Sequence, residues 1–140
     1  MVKEPFTVAV DEFAFNRVYR AGMEGRFGEG ILGTHSTTET IHFLLMMQDD
    51  RVVAAQKYYA DNDSPDQMYL AFLETARDSK GKGYGARLFS AVFDHAVKVG
   101  RPNVTISQYT DLGEKHLLSQ QDDIVRRHAG RVSIIHEPGV

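Results

Sequence analysis

The chain has 140 residues, no cysteine and a formal net charge of -3 at pH 7, with 42% apolar and 25% charged residues. This length predicts a single domain over residues 1–140, and the lack of cysteine excludes disulfides, thiolate zinc sites and a cysteine nucleophile. The small charge argues against a nucleic-acid or anionic membrane partner; without a membrane-length apolar run or a signal-peptide pattern, we expect a cytoplasmic protein.

The first part of the chain predicts a strand followed by a helix. Residues 6–10 alternate apolar and polar side chains, and Asp11 can cap a helix with an inner face of Phe13, Ala14, Val18 and Tyr19. Residues 22–33 contain five glycines among apolar residues. We interpret them as a long, mobile connection over a pocket, with an ordinary irregular connection as the alternative.

A hairpin and a third strand follow. Residues 41–48 and 52–60 flank an acidic turn and predict two antiparallel strands. The acidic loop 61–66 lacks the glycine and glutamate of a calcium-binding loop, so we expect a solvated hairpin loop and no metal. Residues 67–75 predict the next strand, which leads into the glycine-rich turn.

The second half predicts two helices that alternate with two strands. Apolar residues recur at helical spacing after Gly85, and Gly100 ends that helix. Further elements are a strand at 103–109, a strand at 131–136 and, between them, a helix with an inner stripe of Leu117, Leu118, Ile124, Val125 and His128. The order β-α-β-β-β-α-β-α-β predicts an α/β (α+β) fold with antiparallel hairpins and a parallel pair around the glycine-rich turn.

Three glycines at alternate positions, Gly81, Gly83 and Gly85, lie between a strand and a helix. Glycine lets successive backbone N–H groups face one ligand, and the helix start adds unpaired donors, so the turn predicts a phosphate cradle.

The spacing of glycines that a P-loop requires is absent. The stretch formally matches a dinucleotide pattern, but it follows the fourth strand and no acidic residue ends the next one. A kinase does not fit in 140 residues.

Residues 80–86, Lys-Gly-Lys-Gly-Tyr-Gly-Ala, resemble the acetyl-CoA signature of the GNAT family of N-acetyltransferases, with Lys80 where that pattern has Arg or Gln. The order of elements is also similar to that family over essentially the whole chain. The resemblance implies that acetyl-CoA is the cosubstrate and that its pyrophosphate binds the backbone of Lys80, Gly81, Lys82, Gly83, Tyr84, Gly85 and Ala86. It also implies that the strand edge at Leu73, Glu74 and Thr75 holds the pantetheine arm. For Lys82, a solvated loop lysine is an equal alternative.

The resemblance is weaker for the residues that would act as general acid and general base. The family's strand glutamate corresponds to Tyr69, and its last-helix tyrosine corresponds to Arg126. Catalytic candidates are therefore Glu74, Tyr109 and Tyr69, with Ser107 near Tyr109. His42, His116 and His128 are interpreted as structural residues.

Two functions of different class remain open. The first is acetyl transfer from acetyl-CoA to a primary amine, whose identity the sequence does not specify. The second is a GNAT-like fold that serves as a CoA-binding or protein-interaction module, with a homodimer among the open arrangements. A Rossmann-like nucleotide binder is a third, weaker alternative.

Overall fold

The computed structural model describes residues 4–34, 39–106, 120, 123–128 and 131–136, with side chains to residue 134. Among these residues, the central sheet has six strands in the order β1-β2-β3-β4-β5-β6. These strands are β1 (Phe6–Asp11), β2 (Thr40–Gln48), β3 (Arg51–Ala60), β4 (Gln67–Thr75), β5 (Asn103–Ile106) and β6 (Ser133–His136). Helices α1 (Glu12–Ala14), α2 (Arg20–Met23), α3 (Glu29–Leu32) and α4 (Tyr84–Lys98) accompany them, with a π-helix at Phe15–Tyr19 and a 3-10 turn at Arg77–Ser79.

Each strand pairs with its neighbour in sequence. β1 to β4 are antiparallel, whereas β4 pairs with β5 and β5 with β6 in parallel. The two-residue turn between β2 and β3 has positive φ at both Asp49 and Asp50, the twist that tight hairpins favour. The predicted mixed sheet and its parallel pair around α4 are confirmed, and residues 123–127 are helical as predicted.

The two faces of the sheet carry separate cores. The α4 core lies between α4 and the sheet and includes Leu44, Met68, Leu88, Phe93 and Val104. The N-terminal core lies on the opposite face and includes Phe15, Met23, Phe27, Ile31 and Phe43. Because both faces are covered, β2 and β3 are buried along most of their length.

The predicted inner face of the first helix is wrong at two positions. Phe13 and Val18 are each 67% exposed, whereas Phe15 is fully buried and stacks on Phe43 with 3.8 Å between ring centroids. The π-helix Phe15–Tyr19 widens the helical turn, so the buried positions differ from those of a regular helix. The predicted cap is confirmed, since the Asp11 carboxylate accepts from the Ala14 N–H at 2.8 Å.

Residues 22–33, interpreted from the sequence as a long, mobile connection over a pocket, are packed and partly helical. Short helices occupy both ends, and Met23, Phe27 and Ile31 are buried. A Cβ at Gly30 would lie 2.7 Å from the Phe72 ring, so this glycine serves close packing. We call residues 28–33, which lie against β3 and β4, the covering segment.

A β-bulge in β4 decides which way the end of that strand faces. Lys57 is opposite Phe72 while Tyr58 is opposite Leu70, so Ala71 is the extra residue. The buried Gln56 amide donates from Nε2 to the carbonyls of Lys57 (2.9 Å) and Phe72 (2.8 Å). One side chain therefore satisfies two carbonyls beside the bulge.

Gln56→Leu should destabilise the protein by about 1–3 kcal/mol, because a side chain of similar volume removes the donor to both carbonyls. Denaturant unfolding followed by circular dichroism measures the change. Gln67→Leu, at an exposed position of β4, is the control and should change stability by less than about 0.5 kcal/mol. Equal effects of the two substitutions would contradict the role assigned to Gln56.

Candidate active site

The glycine-rich turn leads from the 3-10 turn into α4. Gly81 and Gly83 have φ of +83° and +78°, a region that side-chain-bearing residues rarely adopt. Gly83 is the N-cap of α4 and supplies no side-chain hydrogen bond to it. The first backbone N–H groups of this 15-residue helix therefore lie at an exposed turn, and the N-cap residue offers them no side-chain acceptor. Together with the positive end of the helix dipole, these donors suit an anion.

An ionic cluster fixes the segment just before this turn. The Asp78 carboxylate accepts two hydrogen bonds from Arg26, at 2.8 and 3.1 Å, and lies 2.9 Å from Arg51. The hydrogen bond from Arg26 lowers the pKa of Asp78 well below its usual range, and those from Ser79 and the charge of Arg51 act in the same direction. The cluster joins the N-terminal segment, the first residue of β3 and the 3-10 turn that precedes the glycine-rich turn.

Beyond the bulge, the side chains of β4 still alternate between the two faces of the sheet, but the alternation is shifted by one residue. Leu73 packs against the α4 core, and a Cβ at Gly85 would lie 3.0 Å from the Thr75 hydroxyl, so both face α4. The Ala76 N–H donates to Val53 of β3 at 2.9 Å. Because N–H directions alternate along a strand, those of Leu73 and Thr75 point away from β3. Residues 73 and 75 thus present both side chains and N–H groups next to the glycine-rich turn.

Glu74 faces the opposite side of the sheet and is held there by the covering segment. Its Oε1 accepts from the Gly28 N–H at 2.7 Å. The other oxygen, Oε2, has no hydrogen-bond partner within the part of the chain that is described. A carboxylate with one oxygen fixed and one available is suited to accept a proton from a neighbouring amine.

Lys57 was not predicted from the sequence. Its side chain is 1% exposed, donates to the Gly33 carbonyl at 3.0 Å, and places its ammonium 5.6 Å from the Phe43 ring centroid. Burial lowers the pKa of Lys57, as does Arg20. The sequence signal for this residue was a lysine within a mostly apolar strand. The contact with Gly33 fixes the covering segment from its far end.

The other predicted residues lie in different settings. Tyr69 is half-buried and opposite Tyr59, which packs against the N-terminal core; Tyr69 thus shares the face of Glu74. Arg126 is exposed and lies 3.4 Å from Asp123. Lys80, Gly81, Lys82 and Gly83 are exposed, and Tyr84, Gly85 and Ala86 are half-buried. Ser107, Tyr109, His116, Leu117 and Leu118 lie outside the described residues.

Residues 4–34, 39–106 and the shorter described stretches contain neither a metal-binding cluster nor a membrane-spanning helix. No group of three or more histidine or acidic side chains is arranged to hold a metal ion there. No helix in those stretches is both long and apolar enough to cross a membrane.

Comparison with known proteins gives one family and a set of similar folds. The model of the acetyltransferase (GNAT) family matches residues 9–116. A search of the curated proteins returned no significant match.

Three solved structures illustrate the similarity of fold. A GNAT family acetyltransferase from Staphylococcus aureus superposes with a TM-score of 0.56 at 12% identity, over 81% of this chain and 91% of the other. An aminoglycoside acetyltransferase from an uncultured soil metagenomic sample gives 0.56 at 12%, over 86% and 90%. An IAA acetyltransferase from Bacillus cereus gives 0.55 at 14%, over 84% and 75%. At such identities the likeness concerns the fold alone.

Asp78→Asn should lower the melting temperature at neutral pH, because the ion pairs with Arg26 and Arg51 are lost. A carboxyl whose folded-state pKa is lowered stabilises the fold above its unfolded pKa, near 3.8, and loses this contribution as pH falls further. The difference between wild type and variant should therefore shrink below about pH 4. Asp63→Asn, in the exposed loop after β3, is the control. A difference that does not depend on pH would contradict the ionic role.

Proposed function

The chain belongs to the GNAT acetyltransferase family, and on this premise we propose that it transfers the acetyl group of acetyl-CoA to a primary amine by direct attack. The observation that carries the proposal is the junction of β4 with the glycine-rich turn. There an exposed, uncapped helix start adjoins strand residues whose N–H groups point away from β3.

Binding of acetyl-CoA is assigned to the glycine-rich turn and the end of β4. The backbone N–H groups from Lys80 to Ala86 would hold the pyrophosphate, which suits the positive φ of Gly81 and Gly83. Leu73 and Thr75 would hold the pantetheine arm by strand-like hydrogen bonds. Lys82 is exposed beside this turn and would add a positive charge near the phosphates.

The cosubstrate supplies an activated acetyl thioester. The amine nitrogen would bond to the carbonyl carbon, the C–S bond would break, and the amine would give up a proton. An N–H of Leu73 or Thr75 would stabilise the negative charge that develops on the carbonyl oxygen. Proximity of the two substrates would supply much of the acceleration.

Glu74 is proposed as the group that accepts the amine proton. Its Oε1 is fixed by Gly28, whereas Oε2 is available. The amine would then approach from the face that carries the covering segment, opposite α4. Tyr69, on the same face, and Tyr109 are proposed as candidates to protonate the leaving thiolate.

A CoA-binding or interaction module is the second candidate, favoured by one observation. At the position of the family's last-helix tyrosine the chain has Arg126, which is exposed and paired with Asp123. In that case acetyl-CoA would bind without transfer to any amine.

Acetyl-CoA should raise the melting temperature of the wild-type protein, with a stabilisation of about 2.7 kcal/mol at a ligand concentration 100 times Kd. Gly83→Asp should abolish this shift, because it places a carboxylate where the pyrophosphate would bind. Gly100→Asp is a matched control, since Gly100 also has a positive φ, of +77°, but lies beyond the far end of α4. Loss of the shift in both variants, or no shift in wild type, would contradict the assigned site.

Incubation with acetyl-CoA and a panel of amines should release free CoA thiol in an amine-dependent manner. Glu74→Gln should lower kcat by about 10²- to 10⁴-fold while leaving the thermal shift intact, because the amide oxygen can still accept from Gly28. Glu29→Gln, on the exposed side of the covering segment, should retain activity. Binding without release across the panel would favour the module.

A further inference from the structure

A second concave site lies at the opposite end of α4, against the same sheet face. A pocket of about 430 Å³ opens there, lined by polar side chains of Asp11, His42, Tyr58, His95 and Arg101. Pockets for small ligands begin at roughly 300 Å³. His95 lies more than three helical turns beyond Gly83, or about 18 Å along the axis, so this pocket is separate from the glycine-rich turn.

Three rings form the floor of this pocket. His42 stacks on Tyr58 with 5.2 Å between ring centroids, and the Tyr58 hydroxyl lies 3.1 Å from Nε2 of His95. Tyr58 is buried, while both histidines are half-buried. β2, β3 and α4 each contribute one ring, so the cluster is positioned by regular secondary structure.

Arg101 lines the pocket, and only one of its three side-chain nitrogens donates a hydrogen bond within the described residues. Its Nη1 donates to the carbonyls of Asp61, Ser64 and Gln67, at 3.3, 3.1 and 2.8 Å. A guanidinium has five N–H bonds, and its Nε and Nη2 have no hydrogen-bond partner within the described chain. The side chain is therefore anchored through one nitrogen, and its other donors remain for a ligand.

The charges around the rings favour a negative guest when the histidines are protonated. Burial lowers the pKa of His42 and Arg101 lowers it further, while Asp11 acts in the opposite direction. Burial likewise lowers the pKa of His95, together with Lys98 and His42. Asp11, the acidic residue of the pocket lining, already accepts from the Ala14 N–H. Positive and potentially positive groups thus outnumber the carboxylate.

We propose that this pocket binds a small oxyanion, a carboxylate or phosphate group, between Arg101 and the His42–Tyr58–His95 cluster. Binding is coupled to proton uptake. With His95 neutral, the Tyr58 hydroxyl can donate to Nε2. When Nε2 takes a proton from solvent, the imidazolium donates to the Tyr58 oxygen and the hydroxyl hydrogen turns to the anion. The anion in turn favours the charged form of both histidines, so affinity rises as pH falls.

Sulfate is a suitable first probe because it remains a dianion at every pH used. In a titration followed by NMR, the ring Cε1–H signals of His42 and His95 should shift with one common Kd at about pH 5.5. The Kd should be weaker by about tenfold or more at about pH 8. His128, which lies 3.0 Å from Asp94, provides an internal signal that should not shift. Acetate in place of sulfate shows whether carboxylates also bind, and response to either anion supports the proposal.

Variants separate this pocket from other anion sites. Tyr58→Phe and His95→Gln should each weaken sulfate binding about tenfold or more, whereas Gly83→Asp, which alters the glycine-rich turn, should leave it unchanged. Melting temperatures identify any variant that fails to fold, and Tyr58→Phe keeps the ring stack. The proposal is overturned if neither anion produces a saturable shift, if sodium chloride of equal ionic strength produces the same shift, or if Gly83→Asp removes it.

Discussion

The hydrogen bonds from Gln56 to two carbonyls beside the β4 bulge are the constraint on which the candidate site depends. Without the extra residue Ala71, Leu73 and Thr75 would lie on the face of Tyr69, away from α4. With it, they lie beside the glycine-rich turn, and Glu74 joins the face of the covering segment. The extra residue therefore divides the end of β4 between the two faces of the sheet, and one buried amide satisfies the carbonyls beside it.

The order of strands and helices could be predicted because their apolar periodicity and their glycine and aspartate boundaries are local properties. The turn at residues 80–86 was recognisable for the same reason. The bulge was not, since it depends on a side chain from the neighbouring strand. The burial of Phe15 and the partners of Lys57 and Asp78 depend on contacts between segments distant in sequence, which composition and spacing do not encode.

The two ends of helix α4 differ in electrostatic character. Its N-terminus is the positive end of the dipole and has no side-chain cap. Its last turns carry His95 and Lys98, where the negative end of the dipole favours cations. The helix thus contributes backbone N–H donors at its N-terminus and, near its C-terminus, Lys98 and the ring of His95, which is a cation only when protonated.

The change from antiparallel to parallel pairing at β4 also has a consequence for assembly. β2 and β3 close through the two-residue turn at Asp49 and Asp50, whereas β4 and β5 meet only after residues 76–102 have crossed the sheet. By chain length alone, the longer closure costs on the order of 2 kcal/mol more entropy. The seam beside the glycine-rich turn, between β4 and β5, therefore carries a chain-closure cost that the β2–β3 hairpin does not.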